Sequence, residues 1–244
     1  MDSTILVNKS NHIPAGYLDP TFENSTSSRT PIRNTYYDVY LPIGENCNPA
    51  YYLRAFGLRT EAYPLDWMVF GTHTMIRLFQ TGFRDYFSSI VEEKSPEASP
   101  YRRIKDTENC IVSQHHFPKD REVADVLDEF RSMMRRRYLR LHDRLMGSGS
   151  LLMLCYSQDT EKQVASTLLQ FSEIYPHLSI HLANVSDASE MASTELRREQ
   201  RELNDRLTMT LYYFNNGYDT GNRKEFGLWG NEVMWQRTMK ELCP

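Results

Sequence analysis

Apolar and polar positions along the chain change period several times, and each change marks an element. The run from Tyr36 to Ile43 is aromatic and β-branched and predicts a strand. Behind it Ala50, Leu53 and Phe56 carry a short helix that Gly57 ends. Met75, Ile76, Leu78 and Phe79 give a second helix from Thr72, followed by an aromatic patch at Phe83, Tyr86 and Phe87. Glu92 to Pro100 has the composition of a surface loop. Asn109 to Gln114 is a strand that delivers His115, His116 and Phe117 to its end, where Pro118 stops it. The longest helix, Glu122 to Met146, is set by an apolar face running from Val123 through Val126, Phe130, Met134, Tyr138 and Leu141 to Leu145.

A Gly-Ser turn then leads into LLMLCY from Leu151, a buried strand. Glu161 to Tyr175 reads as a helix on Val164, Leu168, Phe171 and Ile174, and Leu178 to Asn184 as the next strand. The polar stretch Ser186 to Arg206 predicts an exposed helix or a mobile insertion. Met209 to Phe214 is a further strand, and Trp229 to Leu242 a terminal helix with Val233, Trp235 and Met239 facing inward. The β-α-β succession from Asn109 to Asn184 argues for parallel strands covered by helices. The fold expected is one α/β domain over residues 36–244, with a central mixed sheet flanked by helices. Residues 1–35, rich in Ser, Thr, Asn and Pro without a period, read as a flexible arm, with docking through Ile5, Leu6, Tyr17 and Phe22 as the alternative.

Charge and composition narrow the chemistry. A net charge of -4 gives no electrostatic footprint of a nucleic-acid binder. Arg135, Arg136, Arg137 and Arg140 share their helix with Asp125, Asp128, Glu129 and Asp143, so that run reads as a solvated, salt-bridged face. No stretch reaches the roughly 18 apolar residues of a membrane span. The N-terminus lacks the basic start and apolar core of a signal peptide, so a cytoplasmic protein is expected, with signal-independent export to a host left open. The four cysteines, Cys47, Cys110, Cys155 and Cys243, have no metal-ligand spacing, and neither His115–His116 nor His177 and His181 come with further ligands. No metal and no cofactor are expected, and no glycine-rich phosphate loop occurs.

Cys47 stands apart from the other thiols. It lies directly before a helix that Pro49 helps to start, where backbone N–H groups lack intrahelical partners. Their partial positive charge favours thiolate, so Cys47 is expected to be the most acidic of the four thiols and a nucleophile. Against this stands the ordinary fate of a free cysteine, a small buried hydrophobe. Alternation along a strand points His115 and His116 to opposite faces, so only one can meet Cys47. Asp66, squeezed between Leu65 and Trp67, is costly to bury without partners. It serves either the site or the local backbone.

The block from Tyr37 to Met68 resembles an uncharacterised bacterial family named for papain-like cysteine peptidases. The shared positions are Gly44, Cys47, Ala50, Leu53, Gly57, Leu58, Arg59, Pro64, Asp66 and Trp67, with Leu65 in place of an aromatic residue. His115 and Phe117 echo a later His-Asp-Phe block, in which His116 stands where the family shows Asp. The resemblance implies a fold that is papain-like in the broad sense and a thiol-dependent hydrolase or acyl transferase acting on a peptide or other acyl substrate. Cys47 would be nucleophile, His115 general base and Asp66 the group that orients the imidazole. The Cys47 N–H with the Asn46 side chain would hold the oxyanion. The reading from another class is a non-catalytic interaction or carbohydrate-associated module, in which Cys47, Asp66 and His115 only pack and bond.

Overall fold

The computed structural model describes residues 37–217 and 229–243. The expected arm at residues 1–35, and most of the turn expected after Asn215, lie outside the described residues. Among them the elements run β1 Val39–Gly44, α1 Asn48–Ala55, β2 Met68–Val69, α2 Thr72–Thr81, β3 Ile90–Glu93, β4 Tyr101–Asp106, β5 Ile111–Pro118 and α3 Val123–Met146. Then follow β6 Ser150–Tyr156, α4 Glu161–Ile174, β7 Ser179–Asp187, β8 Arg197–Asn204, β9 Leu207–Phe214 and a last helix, α5, Glu232–Leu242.

Among the described residues the protein is a mixed α/β structure with two sheets. The central sheet has the order β1-β6-β7-β9-β8. Its first four strands are parallel and β8 pairs antiparallel with β9. Strands β1 and β6 are covered on both faces, which is why they read as continuous apolar runs and not as alternation. Along β6, Leu151, Met153 and Cys155 face the core built with α2, α3 and α4, whereas Leu152, Leu154 and Tyr156 face α1 and α5. The second sheet, β2-β5-β4-β3, is antiparallel. It shares the α3 side of the core through Ile104, Ile111 and Phe117.

Four expectations need correction. The strand carrying His115 belongs to the second sheet, so β5-α3-β6 is a passage between sheets; within Asn109–Asn184 the parallel crossover unit is β6-α4-β7. RREQRELN, inside the stretch expected to be helical or mobile, is the edge strand β8. Its residues favour helix locally, yet β9 offers a full ladder of backbone partners, and the charges on β8 guard the exposed edge. Within α5, Val233 points to solvent at 67% exposure, while Met234 and Trp235 face the core. The basic run on α3 also splits, since Arg137 is buried, whereas Arg140 and Arg144 pair at the surface with Glu61.

Candidate active site

The site begins where β1 ends. Gly44 has φ 125°, and a Cβ there would collide with the Tyr156 carbonyl of β6. The close approach lets the Glu45 N–H bond that carbonyl at 2.8 Å, so the chain turns sharply off the sheet into Cys47. Gly44→Ala is therefore expected to cost about 1–3 kcal/mol in backbone strain alone. Urea denaturation should show at least that loss, and an unchanged midpoint would count against the tight turn.

Cys47 occupies the N-cap of α1, with Pro49 in the first turn, as the sequence predicts. The Gly44 carbonyl accepts the Phe70 N–H at 3.1 Å, which fastens the segment leading from β2 beside the end of β1. In turn β2 pairs antiparallel with β5, Met68 opposite Ser113. His115 lies two residues beyond Ser113 and Trp67 one before Met68, so both sit at the same end of that ladder, next to Cys47. The result is a hydrogen-bonded approach of Cys47 Sγ and His115 Nε2 at 3.6 Å, joining residues 68 positions apart. Both side chains are half-buried.

His116 takes the opposite face, as alternation requires. It is buried beside Phe130, its ring 5.3 Å away, with Nδ1 bonded to Ser113 Oγ at 2.9 Å. It belongs to the packing under α3.

Asp66 is fully buried, but its partner is not the imidazole. Oδ2 accepts from Arg59 Nε at 2.8 Å, from Arg59 Nη2 and from the Tyr63 N–H at 2.8 Å. Oδ1 has no hydrogen-bond partner. The expected role of orienting His115 is thus replaced by one the sequence also offered, bonding the local backbone, to which the structure adds a buried ion pair with Arg59. That pair ties the segment after α1 to the loop carrying Trp67.

Asn46 divides its amide. Oδ1 accepts the Asn48 N–H at 3.0 Å, while Nδ2 is buried without a partner. A desolvated donor left unpaired next to a candidate nucleophile is costly unless a ligand meets it.

The electrostatics reverse one expectation. Burial pushes the Cys47 thiol up to about 12, and the Asp66 charge adds to the rise. Burial also pulls His115 down to about 4. Desolvation thus works against the helix end and favours the neutral thiol and the neutral imidazole. Nor is Cys110 a strand residue; it lies exposed in the turn before β5 at φ 52°. Burial raises Cys155 and Cys243 as well.

The other histidines singled out in the sequence have hydrogen-bond partners away from Cys47. His181 is held between Tyr37 Oη at 2.6 Å and Thr210 Oγ1 at 2.8 Å. No group of three or more His, Cys, Asp or Glu among the described residues is arranged to hold a metal ion. No helix among them is long and apolar enough to cross a membrane. Sequence reasoning missed the aromatic surroundings. Trp67, with φ 63°, stands edge-on to His115, and Trp229 stacks on Tyr51. Their only signal in the sequence was Trp67 within the shared block.

Residues 38–143 match the model of the family described as "Putative papain-like cysteine peptidase (DUF1796)", a segment holding Cys47, Asp66 and His115. The motif resemblance thus points to the family that is found. An uncharacterized protein, R408, of Acanthamoeba polyphaga mimivirus is 26% identical over 127 residues, 45% of this chain and 55% of its own. The matched part thus spans about half the length of that relative. No solved structure matches.

Proposed function

Proceeding from the family match over residues 38–143, we propose that the protein is a thiol-dependent acyl-transfer enzyme, a hydrolase or transferase acting on a peptide or related acyl substrate. The observation that carries this reading is the contact of Cys47 Sγ with His115 Nε2 across two separate elements. Cys47 attacks the substrate carbonyl. As the S–C bond forms, the thiol proton passes to Nε2 and the carbonyl electron pair moves onto oxygen. The unpartnered Asn46 Nδ2 and the N–H groups at the start of α1 are the donors at hand for that oxyanion. Collapse of the intermediate breaks the bond to the leaving amine, which takes the proton from Nε2, and a thioester on Cys47 remains. Water or a second nucleophile resolves it.

A neutral resting pair is compatible with this sequence of events, because proton transfer accompanies attack. The same neutral, desolvated pair is the one observation that favours the packing-only module. Incubation with a mixture of peptide thioesters decides between them. An acyl mass on Cys47, absent in Cys47→Ser and discharged faster when an amine acceptor is added, is the expected result. Acylation confined to the exposed Cys110 would remove the enzyme reading.

A further inference from the structure

The rings around the thiol are fixed by more than packing. Starting from Cys47, contacts run in a closed circuit. His115 is reached at 3.6 Å, and Trp67 stands edge-on to His115 with centroids 6.1 Å apart. Trp229 meets Trp67 at 6.3 Å and stacks on Tyr51 at 4.1 Å with 4° between planes. The Tyr51 N–H closes the circuit on the Cys47 carbonyl at 3.0 Å.

Two separate devices hold this circuit. Asn48 Nδ2 and Tyr52 Oη, both buried, donate to the same Trp229 carbonyl at 3.2 and 3.0 Å, tying Trp229 to the helix that Cys47 opens. Trp67 is kept in the left-handed backbone region at φ 63°, a strain that bulky residues avoid unless the surroundings impose it. The Arg59–Asp66 pair anchors its loop from below. Tyr51 and Trp229 nevertheless keep part of their surface open to solvent. Tyr51 and Trp229 are large rings left partly open near a reactive group, and the buried Trp67 beneath them is strained into place, a combination that marks a ligand subsite better than a core.

We infer that Tyr51 and Trp229, backed by the buried Trp67, form the subsite for an aromatic side chain on the acyl part of a peptide substrate, adjoining the carbonyl that Cys47 attacks. This rests on the acyl-transfer reading of Cys47 and His115. Stacking and edge-to-face contact suit an aromatic ring, since the faces and edges of these rings carry opposite partial charge. The subsite then selects at the residue next to the reacting carbonyl.

The test uses two matched reagents on the full chain, the chloromethyl ketones of acetyl-phenylalanine and acetyl-alanine. Each alkylates the thiol with loss of chloride, and labelling at Cys47 is timed by mass spectrometry. The phenylalanine reagent is expected to react with Cys47 about ten-fold faster or more, the scale on which apolar pockets discriminate. Trp229→Ala and, separately, Tyr51→Leu should bring the ratio of the two rates towards one. Should either variant fail to fold, the wild-type ratio still decides. Fast, His115-dependent labelling by both reagents at equal rates would overturn the subsite and leave the acyl-transfer reading standing. Labelling of Cys47 by neither reagent, with Cys110 modified, would overturn both.

Discussion

Arg59→Met is expected to lower the stability of the folded protein by about 3–5 kcal/mol, the cost of leaving one partner of a buried ion pair uncompensated. The Asp66 side chain is fully buried and that of Arg59 is 4% exposed, so water cannot take over the lost contacts. Asp66 would keep only the Tyr63 N–H, with Oδ1 already lacking a partner. Urea unfolding should show the midpoint falling with little change of slope. The double variant Arg59→Met with Asp66→Asn should recover part of the loss, because the buried charge goes with its partner. A loss under about 1 kcal/mol, typical of a surface pair, would show that water reaches the site. The single variant should also slow reactions at Cys47, as the loop that brings Trp67 against His115 loosens.

His115→Ala is expected to slow acylation of Cys47 near neutral pH by about 10²–10⁴, the range a positioned general base supplies. His116→Ala should leave the chemistry far less affected, because that ring faces Phe130. The pH profile carries more information than the single rate. His115, drawn down to about 4, stays a competent base through mildly acidic solution, so the acylation rate should hold as pH falls and drop only through that value. The thiol, raised to about 12, should show no thiolate absorbance at neutral pH in the difference spectrum between wild type and Cys47→Ser. A thiolate signal at pH 6 would mean a preformed ion pair and would reject the neutral resting state. Stability follows the same sign. His115 and His181 both bind a proton less readily folded than at their ordinary 6.5, so between 6.5 and about 4 the unfolded chain holds more protons. Folding stability therefore falls as pH drops across that window.

The local chain settled much of this by itself. Period and turn residues were enough for α1, α3, α4 and β6, because those helices each bury one apolar stripe and β6 is buried on both faces. The same local signals, Gly44, Cys47 and Pro49 in order, placed the thiol at a helix start, and alternation separated His115 from His116. What tertiary structure decided were the partnerships. RREQRELN became a strand because β9 presented an open ladder, a long-range fact that propensity does not contain. Asp66 turned to Arg59 because a buried carboxylate takes the donors that chain folding brings nearest, and Arg59 gives its Oδ2 two charged N–H donors where an imidazole nitrogen would give one. The acidity of Cys47 was decided in the same way. A helix end acts through partial charges, whereas burial acts on the full charge of the thiolate and pushes the thiol up to about 12, with the Asp66 charge adding to the rise.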